Sequence, residues 1–449
     1  ALLDAIGESR LLRVAQVGSH HPQEDDISVL SAVGGITVTG STATISTNLT
    51  GISVAAGTNT ISGNTVGSAS QANSLWANTA FASTTATQAV RGIHNSGASS
   101  AVISGNTLAN LTNGGTGTSA SIQTIGIHTT AGTNTIGGPA DGEGNTIRDL
   151  SNAAANNSGG TSAQVVGIMA TSTVATGTGQ QIVQNRIYNL LSTNTTAPTS
   201  AGYTVTGIYY QGPTANPAGT THLIARNLVY DLAATAPASS VTAALTGIQI
   251  GTSTGTSGVA DVVNNMVRLG FSGGAPLTRE YEMTGIYKAT TLAVNVYANS
   301  VYIGGSGVGS GTTNTYALRR LNTATEAIQN NVLVNARSNA AAGGHHAALA
   351  LTATTGLTIS NNVYYAPNTG GTVALVNGTP SGSISGDASS AVSDPMYADA
   401  TAATPDLHIR TDVATPVESK GAAVGVTTDF DGQTRNATTP DIGADEGSF

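Results

Sequence analysis

The chain has 449 residues, 9% of them charged, with 56 Gly, no Cys and a formal net charge of −9. An ordinary soluble domain carries about 25% charged residues, so this composition excludes a coiled coil, a nucleic-acid-binding surface and a charged disordered tail. Without cysteine there is no disulfide scaffold, thiolate metal site or cysteine nucleophile. No uninterrupted apolar run reaches the roughly 18 residues a membrane span needs. The first residues also lack the basic-then-apolar order of a signal peptide, though a removed one leaves no trace.

The charge is unevenly placed. Residues 1–26 hold five acids and two bases, 27–386 hold eight and ten, and 387–449 hold eleven and three, so the total divides into −3, +2 and −8. Three segments follow: an N-terminal cap or assembly segment (1–35), a long nearly neutral body (36–386) and an acidic C-terminal module (387–449). The first of these contains the one amphipathic stretch, ALLDAIGESRLLRVAQV, read as a cap on the body or as a strand that docks on another subunit. His20 and His21 beside Glu24, Asp25 and Asp26 offer metal-ligand chemistry, but adjacent residues of an extended segment point apart, so an ordinary polar segment is expected.

The body is a repeat. An aliphatic residue, two others, Asn, one more and an apolar residue recur nine times. The Asn are Asn64, Asn106, Asn145, Asn185, Asn227, Asn265, Asn299, Asn331 and Asn362. The site three before the Asn is Ile or Val except at Gly142. Upstream of seven copies stands Gly-Ile, from Gly51-Ile52 to Gly285-Ile286; Ala317-Leu318 and Ala348-Leu349 replace it in the last two. Repeats of this length that place apolar sites on both sides of an Asn predict a β-solenoid. The chain bends at the Asn, which tolerates left-handed backbone, and the amides stack as a ladder about 4.8 Å apart. No 3.6-residue apolar stripe persists, which argues against helix.

This pattern resembles the right-handed parallel β-helix proteins secreted by bacteria. The resemblance implies an all-β chain of about nine or more rungs, extracellular or on the cell surface. The tail, with DPMYADATAATPDLHI (394–409), TPVESKG (415–421) and TDFDGQTRNATTPDIGADE (428–446), is similar to the module that follows β-helices in Bacteroidetes-type anchored surface proteins. On physical grounds it should cap the open end of the solenoid, since unpaired strand edges invite aggregation. Asp429, Asp431 and Asp441 pair with Arg435 there, or hold Ca²⁺.

Catalytic signals are sparse. Glycan-cleaving β-helices need acids on a groove face, yet between 150 and 386 the acids are Asp231, Asp261, Glu280, Glu282 and Glu326. Asp231 falls at a site shared with Asn110, Asp149, Asn189 and Asn335 and reads as a turn. The densest polar group is Arg279, Glu280, Glu282, Lys288, Arg319, Arg320 and Glu326, with His345 and His346 nearby; it is expected to be a solvated ion-paired face, or else the active site of a lyase or glycosidase. The site three after the Asn should point outward, stacking Arg148, Tyr188, Tyr230, Arg268, Tyr302, Val334 and Tyr365 in a strip that stiffens the body or binds glycan or a neighbouring subunit. Thr-rich stretches such as 37–47 hold no register with the Asn template, which disfavours an ice-binding face. The reading favoured is a non-catalytic adhesin, fibre subunit or surface-layer element that self-associates or contacts a cell-surface glycan or protein. The alternative is a polysaccharide lyase or glycoside hydrolase on the same scaffold.

Overall fold

A computed structural model describes residues 10–13, 25–27, 36–38, 47–77, 87–155, 160–172, 179–195, 202–211, 219–236, 243–251, 258–305, 312–339 and 343–447. Among these the chain is all-β, with one 3₁₀ turn at Gly160–Ser162 and no α-helix. No helix is long and apolar enough to cross a membrane. His20, His21 and Glu24 lie outside the described residues, as does most of the amphipathic stretch.

Strands fall in turn into three parallel sheets. One repeat contributes Gln88–Asn95 to the first sheet, Ser100–Ser104 to the second and Thr107–Asn113 to the third; the next contributes Ile122–Thr129, Thr133–Gly137 and Thr146–Asn152. Every third strand is therefore a neighbour, except where Thr65–Gly67 and Leu75–Ala77 share one place and where the hairpin of Phe271–Ser272 with Ala275–Pro276 is inserted, and each sheet grows by one strand per repeat. Backbone pairing of this kind reaches into the N-terminal segment, where Arg10–Arg13 pairs with 47–50 and Asp25–Ile27 with 59–61. At the other end the first sheet stops being parallel: Gly371–Val376 pairs antiparallel with Thr379–Ser381, and Ile384 joins the core.

The apolar sites of the repeat build that core from three sides. Ile93, Ile127, Ile168, Ile208 and Ile248 come from the first sheet, Ile103, Ile182 and Ile224 from the second, and Leu108, Ile147, Ile187 and Val229 from the third, all essentially inaccessible to solvent. The Gly142 exception has a simple cause. Ile136 pairs with Ile103 and Ile182 and fills the slot, while the extra residues before Asn145 loop outward. The Gly of each Gly-Ile is required by close approach. A Cβ on Gly207 would sit 2.4 Å from Cγ1 of Val229 and 2.6 Å from the Gly247 carbonyl, and the other six meet the same obstacles.

The nine Asn stand at the corner between the second and third sheets, all buried, and form one continuous amide chain. Each Nδ2 donates to the next Oδ1, at 2.9 Å from Asn64 to Asn106, 3.0 Å from Asn185 to Asn227 and 3.1 Å from Asn331 to Asn362. Asn299 sits in the middle of the later run, accepting from Asn265 and donating to Asn331, both at 2.9 Å. The same Oδ1 also accepts the preceding Asn's backbone N–H, at 2.9 Å for Asn64 to Asn106. From Asn106 onward, the second Nδ2 proton goes back one repeat to the carbonyl of its aliphatic site, as from Asn227 to Ile182 at 2.8 Å and from Asn299 to Val262 at 2.9 Å. After Asn362 the place is taken by Ser390, whose hydroxyl accepts the Asn362 N–H at 2.7 Å.

One expectation is corrected at this corner. Asn64, Asn106, Asn145, Asn185, Asn227, Asn265, Asn299, Asn331 and Asn362 form the ladder, but none of them is the left-handed residue. That residue is the one before: Gly63, Gly105, Gln184, Arg226, Asn264, Ala298, Asn330 and Asn361 have φ between 51° and 66°. The Asn side chain must reach along the stacking axis, so the sharp bend falls one residue earlier. The site read as a turn is left-handed at Asn110, Asp149, Asn189 and Asp231, with φ from 53° to 58°, whereas Asn335 has no positive φ.

Asn227 makes four buried hydrogen bonds, two accepted from Asn185 and two donated to Asn265 and Ile182. Leaving those partners unpaired is expected to cost about 4 kcal/mol in Asn227→Ala, since each orphaned buried group costs about 1–3 kcal/mol. Urea denaturation of the variant, read as a fall in midpoint at unchanged slope, checks this.

Candidate functional site

The C-terminal module begins at the end of the third sheet, where Ala391–Val392 pairs with Val363 and Tyr364. It lies along the outer face of the third sheet, over the later repeats. Leu407, Ala400 and Ala444 pack with Met266 and Leu228, and Ile409, Val417 and Ile442 pack with Val332, Val334 and Val363. Its backbone is tied to the left-handed corner residues: Arg226 Nε donates to the Phe430 carbonyl at 2.7 Å, Asn264 Nδ2 to Thr428 at 2.6 Å, Asn330 Nδ2 to Ala422 at 2.8 Å and Asn361 Nδ2 to Lys420 at 2.8 Å. The cause is legible one residue after each ladder Asn. That outward site is Thr65, Thr107, Thr146 and Arg186 in the early repeats, then Leu228, Met266, Ser300, Val332 and Val363. A sheet face that turns apolar needs a cover.

This changes the outward strip. Tyr230, Arg268 and Val334 are buried, at 0–2% exposure; Arg268 bonds to the module, and Tyr302, Val334 and Tyr365 pack with it. Tyr188 stacks on Tyr230 with centroids 4.8 Å apart and planes 6° from parallel. Arg186 lies over both rings and Arg268 lies over Tyr230 and Phe271. The Tyr188 and Tyr230 rings turn faces toward each other along the stack, so those faces are not offered to a sugar. Arg268 is also ion-paired with Asp231 and hydrogen-bonded to the Ala402 carbonyl, which makes it a rivet between body and module.

Tyr302 and Tyr365 instead line a cleft of about 300 Å³ between sheet and module, with Val334, Ala336, Asp394, Pro395, Met396, Tyr397, Ala400 and Arg410. Tyr302 meets Tyr397 edge to face at 6.5 Å. Arg410 is held by Asp412 through two bonds, at 2.9 and 2.7 Å.

The acid and base cluster divides into parts. Lys288 and Arg320, ending two strands of the first sheet, close on Glu326, which begins a strand of the second; Lys288 Nζ is 2.9 Å from Glu326 Oε2, and all three are 1–2% exposed. Glu326 Oε2 also accepts the Val294 N–H at 2.9 Å, and Arg320 donates to the carbonyls of Ala324, Ala353 and Thr355. The expected solvated face is therefore a closed ion triad inside the corner, because only mutual pairing compensates for charges removed from water. Arg319 and Glu282 pair at 3.0 Å, partly exposed, with Arg319 over Tyr287 and Tyr316. Arg279 donates to the Thr235 and Ala236 carbonyls. His346 bridges Thr315 Oγ1 and Asn339 Oδ1, both at 2.8 Å, and burial with the nearby Arg337 and His345 lowers it to about 4, a neutral structural ring.

A mixed polar chain precedes the triad at the same corner: Asn95 Nδ2 donates to Asn134 Oδ1, the Asn134 N–H to Gln180 Oε1 and the Gln180 N–H to His222 Nδ1, at 2.7, 2.7 and 2.9 Å. The residue type changes along this chain, so no repeat marks it in the sequence.

In the module, the three Asp read as a cation site are used separately. Asp429 accepts the Gln433 and Glu446 N–H groups, Asp431 bonds His408, and Asp441 accepts the Ser419 N–H. Arg435 pairs with Glu446 at 3.1 Å rather than with any of them. His408 lies between Asp406, 2.6 Å from Nδ1, and Asp431, 2.9 Å from Nε2, with an Asp445 oxygen close by. Burial pulls its affinity for a proton down, but the hydrogen bond it donates to Asp406 and the charges of Asp445, Asp431 and Asp406 outweigh that and raise it. Asp441 is pushed up to about 6, mainly by burial, with the Ser419 N–H opposing and Glu446 and Glu418 adding.

Two outcomes follow. Glu326→Gln leaves two buried cations without a carboxylate and is expected to destabilise by about 3–5 kcal/mol in chemical denaturation. For pH the signs agree. A His with a raised folded value stabilises below its ordinary 6.5 and loses that contribution as pH rises through the folded value. An Asp raised to about 6 keeps its proton longer in the native state than unfolded, so its contribution also falls as pH rises from about 4 to 6. Thermal melting of the module should therefore decline from pH 4 to 8, with Asp441→Asn flattening the lower part of the profile and His408→Gln the upper part. No protein-family model matches this chain and no curated protein matches it, so its function is argued from this geometry.

Proposed function

We propose that the protein is a non-catalytic, extracellular scaffold: a right-handed parallel β-helix of nine or more rungs, serving as a structural or adhesive element at a bacterial surface. Parallel strands joined by crossovers are right-handed in about 98% of cases, and the return of the chain to each of three parallel sheets in successive repeats supports winding through them. The observation that carries the reading is the Lys288–Glu326–Arg320 triad. The place where the sequence concentrates acid and base is spent on holding a corner together, with Glu326 saturated by two cations and a backbone N–H.

The rod is stiffened by the amide ladder and by a module fastened along its side. Contact with a cell-surface partner falls to the surfaces the module leaves open. End-to-end assembly is disfavoured at the C-terminal end, where the antiparallel pair 371–381 and Ile384 occupy the growth direction of the first sheet. The resemblance to anchored surface proteins supports an extracellular location in this reading.

Electron microscopy and a glycan screen test it together. Twelve strands in the first sheet at about 4.8 Å per step give discrete rods about 50 Å long, and acidic and neutral polysaccharides should yield neither new reducing ends nor unsaturated products. Turnover that vanishes in Glu282→Gln or Arg319→Ala, the partly exposed pair, would overturn the scaffold reading in favour of a lyase or glycosidase.

A further inference from the structure

We propose that the cleft between the third sheet and the C-terminal module is a binding site for an organic ammonium group, such as a quaternary ammonium or a methylated amine. Three tyrosines, Tyr302, Tyr365 and Tyr397, line it, with Asp394 beside them. The remaining lining is apolar except for Arg410: Val334, Ala336, Pro395, Met396 and Ala400. Its volume of about 300 Å³ suits a small ligand or the end of a long side chain.

The lining chemistry decides among ligand classes. Tyrosine rings attract cations through their quadrupoles, and a carboxylate beside them adds a formal counter-charge. Arg410 would repel a cation if its charge were unopposed, but both of its bonds to Asp412, at 2.9 and 2.7 Å, commit the guanidinium to a carboxylate next to it. The same pairing occupies one edge of the guanidinium with a carboxylate, which weakens its pull on an anion. An anion would also face Asp394. A sugar needs several planar polar groups along its rim, and five of the ten lining residues are aliphatic or thioether side chains. An uncharged apolar ligand would gain nothing from Asp394, an exposed carboxylate whose Oδ1 accepts the Met396 N–H at 3.0 Å. A methylated ammonium satisfies the carboxylate, the rings and the apolar floor together.

The site is built by docking. Tyr302, Val334 and Tyr365 come from the body, and Asp394–Tyr397 and Arg410 from the module. It is independent of the scaffold reading, since a cleft of this composition would bind the same ligand on an enzyme.

Titration of the full chain with choline, followed by calorimetry and by tyrosine ring resonances, tests the proposal against 3,3-dimethylbutan-1-ol, the neutral carbon isostere of choline. Choline should bind with a dissociation constant in the millimolar range or below, and the isostere at least tenfold more weakly. Asp394→Asn and Tyr365→Leu should each weaken choline at least tenfold while leaving the melting temperature within a few degrees. Equal binding of choline and its isostere, full affinity in Asp394→Asn, or no saturable choline binding to folded protein would each overturn it.

Discussion

An amide buried away from water must find partners for two protons and two lone pairs, and a column of identical amides one strand-spacing apart solves that problem only in register. From Asn64 to Asn362 each side chain takes its partners from the repeat before and the repeat after. A slip of one residue in any strand of the third sheet would break the column at that repeat. The column therefore sets the register of the second and third sheets, and the Gly of the first sheet lets that sheet close against the third. Loops between corners are left free to vary, and the changing spacing of the Asn, from 42 residues early to 31 late, is absorbed there.

The rest of the molecule distributes its charge around this neutral column. Where charge enters the interior it enters as a closed group, as in Lys288, Glu326 and Arg320. Where it lies on the third sheet it is shared with the module, as the Arg268 guanidinium donates both to Asp231 and to the Ala402 carbonyl. In the C-terminal segment Asp429, Asp441 and Asp445 are buried and accept backbone N–H groups, while Glu446 pairs with Arg435. These contacts make the module part of the rod's flank, and the tyrosine cleft exists because the two surfaces do not close completely along their seam.

The repeat was legible because its chemistry recurs. Asn, the aliphatic site before it and the apolar site after it are demanded in every turn by the same environment, so even the Gly142 irregularity has a local cause in Ile136. The site residues were legible only as a list. That Arg148, Tyr188, Tyr230 and Arg268 share one row followed from the spacing; that the module meets the row from Arg268 onward did not. A signal existed in the change from Thr and Arg to Leu, Met and Val one residue after the Asn, since an outward site that turns apolar announces a covering surface. The mixed chain from Asn95 to His222 left no such trace, because amide, imidazole and carboxylate can all satisfy a corner.

Sequence by itself determined that the chain is a β repeat with a neutral body and acidic flanks, because hydrogen-bond saturation and burial are imposed afresh in each repeat and leave a period. Tertiary structure alone decided where the C-terminal module goes, which charges become buried pairs and where a cleft remains open. The module's place depends on contacts between residues more than a hundred positions apart, such as Asn264 with Thr428 and Ser300 with Ala444, and the buried charge pairs, such as Lys288 with Glu326, join neighbouring repeats at one place only, so neither leaves a period to read.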